Sequence, residues 1–258
     1  MGKLASKAAK KAAARKLMSP PGRASARRPV KKPVRARPSA GNGSGVPASK
    51  ERFTLHGFAL SGPTYTVALM LNLCRHPYSY IHVNLREGAH KQPDYLVKNR
   101  YGQVPCLRDG QLFLCQSAAI LEYLAETLQK FDGRTSAEKH RVREWLFWMW
   151  DRLAVPVFRL RQRARGLRQF GDEVKVMYEN EARSSFALLE HELAKSEWLV
   201  GKKPTIADIG AYGVARYASE AGIDISAYPK VVEWKRRFEA LPGFATPEQS
   251  LPLESRLL

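Results

Sequence analysis

Residues 101–124 read Tyr101-Gly-Gln-Val-Pro-Cys-Leu-Arg-Asp-Gly-Gln-Leu-Phe-Leu-Cys-Gln-Ser-Ala-Ala-Ile-Leu-Glu-Tyr-Leu124. Two β-like runs, 104–108 and 111–116, flank Asp109-Gly110. Asp-Gly between apolar runs is a hairpin signal, because a type I′ turn needs positive φ at both central residues. Gln116-Ser117 then opens a helical run from Ala118 to about Leu128. Ile120, Leu121 and Leu124 share one face, and Ser117 serves as N-cap. The stretch is therefore a hairpin followed by a helix, with a polar pair at the helix start. Unpaired N–H groups and partial positive charge at that terminus suit a carboxylate ligand. Pro105 cannot donate to a ladder, and the pattern alone places it on an edge strand with a trans bond.

Upstream, Phe53-Thr-Leu-His-Gly57 alternates as a strand, and residues 59–66 form a loop with Gly62-Pro63 punctuation. Val67 to Cys74 is a helix, Tyr80 to Leu85 a second strand, and Lys91 to Asn99 a short helix or turn around Pro93. The order βαβα, then ββα, is a thioredoxin-like α/β layout over residues 51–130. Residues 131–134 form a linker. From Thr135 to about Arg165 runs a long helix dense in aromatics (Trp145, Phe147, Trp148, Trp150, Phe158), opened by a capping-box pair, Thr135 and Glu138, and kinked at Pro156. Residues 172–195 are helical. Pro204-Thr-Ile-Ala-Asp208 repeats the capping-box form and opens a helix through Tyr217, so Asp208 reads as structural. Residues 228–238 form a further helix with Pro229 in its first turn, and 242–258 a tail. The second domain, 135–241, is thus all-α.

The chain has 258 residues and a net charge of +19. The first 50 residues hold 14 of the 43 Lys and Arg and no Asp or Glu, so the remainder holds 29 basic and 24 acidic residues. Basicity is therefore mainly a property of residues 1–50. Alanine, lysine, proline and serine there cannot bury enough apolar surface to offset ordering entropy, so this arm reads as disordered. It is a solvated tail or an early start, a non-specific polyanion-binding arm without aromatics for base stacking, or an organelle transit peptide. No apolar run reaches membrane-span length. Three cysteines, Cys74, Cys106 and Cys115, with no C-x-x-C pair indicate reduced thiols in a cytoplasmic setting.

Gln103-Val-Pro-Cys-Leu107, Asp109-Gly110 and Gln116-Ser-Ala-Ala-Ile-Leu-Glu-Tyr-Leu124 resemble the glutathione-site half of the glutathione transferase family. The resemblance extends from about residue 52 to 241. Ala59-Leu-Ser-Gly-Pro-Thr-Tyr-Thr-Val67 resembles the Leu-Ser-x-Pro segment of its serine-type, theta/beta-like members. It implies a cis Val104–Pro105 bond, glutathione as co-substrate, a hydrophobic electrophile as second substrate, and a homodimer. It registers Ser61 with the hydroxyl that donates to the glutathione thiolate; Ser61 capping the first helix, or Thr64 or Tyr65 in its place, are the alternatives. It assigns His90 and Gln103 to the glycine carboxylate, the Val104 backbone to the cysteinyl amide, and Gln116 and Ser117 to the γ-glutamyl end. Many members carry Glu or Asp where Gln116 stands, and an amide lacks the charge-assisted increment. No residue of the Ser61 loop is Cys, which disfavours a glutaredoxin-like mechanism. Cys106 and Cys115 read as small core fillers. The cluster Arg159, Arg161, Arg163, Arg165 and Arg168 reads as a solvated helix end, or as an attractor of an anionic substrate. A non-enzymatic binding module tethered to polyanions by its arm is the rival reading.

Overall fold

The structure, a computed structural model, describes residues 51–254 and the backbone of 256 and 257. The expectations for residues 1–50 lie outside the described residues. Strand β1, Phe53–Gly57, leads through a short loop into α1, Gly62–Leu73, and then β2, Tyr78–His82. A 3-10 turn, Ala89–Lys91, and the short α2, Pro93–Leu96, precede the hairpin β3, Cys106–Asp109, and β4, Leu112–Cys115, which runs into α3, Ser117–Leu128. β1 pairs parallel with β2 and antiparallel with β3, giving a mixed sheet ordered β4-β3-β1-β2. This is the thioredoxin-like layout. A two-residue strand β5, Arg256–Leu257, adds to the free edge of β2.

All five residues of β1 are buried, because the sheet is covered on both faces. Phe53 and Leu55 point into the main core with α1 and α3, which continues into the helical domain. The other face holds a smaller cluster of Val83, Tyr95 and Cys106.

Three local expectations are corrected. The hairpin register pairs Asp109 with Leu112, so the turn residues are Gly110 and Gln111, and only Gly110 has positive φ. That is the type II′ pattern, not type I′, and it leaves Asp109 in the strand with its carboxylate 2.8 Å from Arg52. α1 begins at Gly62, not Val67, because Pro63 suits the first helical turn, where its missing N–H has no partner to lose. α3 begins at Ser117, so Gln116 occupies the N-cap position.

The helical domain comprises α4, Ser136–Trp148, α5, Val155–Ala164, α6, Asp172–Leu193, α7, Ile206–Ala215, and α8, Pro229–Glu239. The break anticipated at Pro156 is a π-helical segment, Met149–Ala154, between α4 and α5. Pro156 cannot donate to the carbonyl of Arg152, and the hydroxyl of Ser185 lies 2.9 Å from that oxygen instead. Thr205 and Asp208 form the full capping box of α7. At α4 only half the box forms: Thr135 accepts from the Glu138 N–H, while the Glu138 carboxylate accepts from Arg134. The expected tail is partly structured, because α9, Pro247–Ser250, docks Ser250 beside Asn72 of α1. Among the described residues no helix is long and apolar enough to cross a membrane.

Candidate active site

A cleft of about 490 Å³ opens between the thioredoxin-like domain and α5. That size suits a small-molecule ligand. Ser61, His90, Gln103, Val104, Gln116 and Ser117 all line it.

Ser61 stands in the turn between β1 and α1. Its backbone is extended, as an N-cap requires, and its Oγ accepts from the Thr64 N–H at 3.2 Å. The capping role anticipated as an alternative is therefore real. It uses a lone pair and leaves the hydroxyl proton free to donate. The two hydroxyls anticipated as alternatives to Ser61 turn away. Thr64 is fully buried, 3.5 Å from the Phe58 N–H. Tyr65 donates to the Ala245 carbonyl at 3.0 Å, and burial pushes its phenol upward in pKa. Neither lines the cleft.

The Val104–Pro105 bond is cis, as the family resemblance implies and against the trans proline that the strand pattern alone gives. β3 begins two residues later, and among the described residues no hydrogen bond engages the Val104 N–H or C=O. The adjoining loop is tied down by its own network. The Gln103 carbonyl accepts from Tyr95 at 2.7 Å and from the buried Asn99 amide at 2.6 Å. Gln116, exposed to the cleft, has φ +69° and ψ 113°, a region costly for a residue with a Cβ. Ser117 beside it is buried in the first turn of α3.

His90 sits in the 3-10 turn with its Nδ1 buried and unpartnered among the described residues. Burial, and then the Lys91 ammonium, hold it below the ordinary imidazole pKa, so it is neutral near pH 7. Lys91 donates to the Gly102 carbonyl at 3.0 Å and also faces the cleft.

The chain matches the family model described as Glutathione S-transferase, N-terminal domain, over residues 52–126, and Glutathione S-transferase, C-terminal domain, over 151–242. The chain belongs to the glutathione S-transferase family. Maleylacetoacetate isomerase of Rhizobium meliloti (strain 1021) is 31% identical over 211 residues, covering 77% of this chain and 97% of the relative. Disulfide-bond oxidoreductase YfcG of Escherichia coli (strain K12) is 27% identical over 193 residues, covering 72% and 90%. A crystal structure of glutathione S-transferase from Pseudomonas fluorescens superposes with a TM-score of 0.72 at 28% identity, covering 76% of this chain and 99% of that one.

Within this glutathione S-transferase fold, the far wall of the cleft is the part for which the sequence offers alternatives without assigning residues. Trp150, Phe158, Arg161 and Arg165 line it. Arg161 is not part of a solvated helix end. It is 7% exposed, lies 3.8 Å over the Tyr217 ring, and donates to the Leu60 carbonyl at 2.7 Å and to Glu220 at 2.9 Å. It therefore ties α5 to the residue before Ser61. The signal in the sequence was the run of arginines itself, whose inward member only packing could select. Of the aromatics on this arm, Trp150 and Phe158 reach the cleft, while Phe147 is 72% exposed. None of the three cysteines lines the cleft. Cys106 and Cys115 face each other across the hairpin with Sγ atoms 3.9 Å apart, and burial raises both thiols in pKa.

Proposed function

We propose that this chain is a glutathione transferase that holds glutathione along Val104 and activates it as thiolate at Ser61. The observation that carries this is that one cleft joins a hydroxyl with an uncommitted proton to the Val104 N–H and C=O just before β3, also uncommitted among the described residues. A peptide ligand pairs its cysteinyl amide with Val104, which directs its sulfur to the N-terminus of α1. His90 and Gln103 receive the glycine carboxylate, and Gln116 and Ser117 the γ-glutamyl end. The thiolate then attacks an electrophile held against α5, or reduces a peroxide. The protein works as a cytoplasmic homodimer, with domains bounded at 51–130 and 135–241.

The energetics ask little of Ser61. A free thiol titrates near 8.5, and lowering that by two units takes about 2.7 kcal/mol. One hydrogen bond to a charged sulfur gives roughly 1.5–3 kcal/mol, and the helix-terminal N–H groups add to it. Ser61 is a donor in this scheme, not a base or a nucleophile.

The test is a thiolate absorbance titration of the glutathione complex, wild type against Ser61→Ala. The expected midpoint rises by about 1–2 units in the variant. Equal midpoints, or no retention of the full chain on glutathione-agarose, would overturn the proposal. One observation favours a second reading, a glutathione-binding module without turnover: Gln116 supplies an amide in place of a carboxylate. Retention on the column with no conjugation or peroxide reduction would establish it.

A further inference from the structure

Among the described residues, those lining the cleft include three full cations, Lys91, Arg161 and Arg165, and no Asp or Glu. The two arginines converge on a single carboxylate oxygen: Arg161 Nε and Arg165 Nη1 each lie 2.9 Å from Glu220 Oε2. One carboxylate against two guanidiniums leaves an uncompensated positive charge at this wall. Lys91 lines the same cleft next to His90, and among the described residues it donates only to the Gly102 carbonyl.

Two further observations point to an acceptor that the chain does not provide. Trp150 lines the cleft, and its Nε1 is buried without a hydrogen-bond partner among the described residues. Buried donors are nearly always satisfied, so an orphan indole N–H on a cleft-lining residue is unusual. Among the described residues Arg161 Nη2 forms no hydrogen bond, while Nη1 is held by Leu60 one residue from Ser61. Phe158 and Leu167 supply the apolar part of the same wall.

We infer that the second substrate is an electrophile carrying a carboxylate on an apolar, aromatic-sized body, held with its carboxylate against the Arg161–Arg165 pair and its reactive carbon toward Ser61. This rests on the transferase reading and extends it by the charge of the electrophile. With a chloronitroaryl carboxylate the step balances without a redox partner. The glutathione sulfur–carbon bond forms, the carbon–chlorine bond breaks, chloride leaves with the bonding pair, and the thiol proton passes to water.

The experiment compares 4-chloro-3-nitrobenzoate with its neutral isostere 4-chloro-3-nitrobenzamide, using the full chain and glutathione. Each kcat/KM is divided by the uncatalysed rate constant with glutathione, which removes the difference in intrinsic reactivity. The expected result is a preference for the benzoate of about tenfold, the scale of one charge-assisted contact. It should shrink as salt is raised. Arg165→Gln should bring the ratio close to one, and Arg165→Lys should recover part of it. Arg165 is half-exposed, and should the Gln variant fail to fold, the wild-type ratio and its salt dependence still decide. Turnover of both compounds with no preference for the benzoate overturns this inference and leaves the transferase reading standing. Turnover of neither overturns this inference, and the Ser61→Ala thiolate titration then decides the transferase reading separately.

Discussion

Gln116 combines a strained backbone with a place in the lining of the cleft. Its φ of +69° with ψ 113° crowds the Cβ, and its side chain makes no capping hydrogen bond to offset that. Strain of this kind costs about 1–3 kcal/mol. Gln116→Gly removes the crowding but adds about 0.5–1 kcal/mol of chain entropy to the unfolded state. The net expected gain over Gln116→Ala, which keeps the Cβ, is about 0.5–2 kcal/mol. At this chain length each kcal/mol moves Tm by about 2–4 °C. Both variants lose the amide proposed to receive the γ-glutamyl end. A hydrogen bond to a charged group is worth roughly 1.5–3 kcal/mol, so both should bind glutathione at least tenfold more weakly. Thermal unfolding followed by circular dichroism, paired with calorimetric titration of glutathione, reads both effects. The reasoning is refuted if the Gly variant melts no higher than the Ala variant, or if both bind glutathione as tightly as wild type.

Asp208 is fully buried and accepts from the Leu199 and Thr205 N–H groups and from Trp234 Nε1, yet burial pushes its carboxyl up to about 6. The folded state then binds the proton more tightly than the unfolded state. Its contribution is fully present below about pH 4 and is lost as pH rises through 6, amounting to about 3 kcal/mol. Denaturant unfolding of wild type and Asp208→Asn across this window should show the difference shifting against wild type with rising pH; a flat difference contradicts the assignment. At the crossing of α1 and α7, a Cβ on Gly213 would lie 2.1 Å from Thr66 Oγ1, and Thr66 is fully buried with its hydroxyl donating to Gly62. Gly213→Ala should cost about 1–3 kcal/mol and be largely rescued by Thr66→Ala, whereas additive effects would show that the contact does not govern the crossing. Deletion of residues 1–50 should abolish salt-sensitive retention on a DNA column, because 14 cations and no carboxylates lie there. Retention unchanged by the deletion removes the arm from any polyanion role.

Much of the architecture was legible because its signals are local. The alternation of Phe53–Gly57, the Thr205–Asp208 capping box and Pro229 at a helix start each act over a few residues. Where neighbours were needed, boundaries moved. Asp109 was taken into the strand by its register with Leu112 and by Arg52, and the break at Pro156 spread into a π segment because Ser185 was there to meet the Arg152 carbonyl.

The order of residues by itself determined the element sequence, the family and a set of six candidate residues, because hydrophobic period, caps and turn chemistry are written into adjacent positions. Only the folded chain decided that those six border one cleft, that Thr64 and Tyr65 turn from it, and that Arg161 points inward rather than to water. The physical reason is that side-chain direction and the choice of partner for a charge are set by packing between segments far apart in sequence, as with Arg161 and Leu60, 101 positions apart.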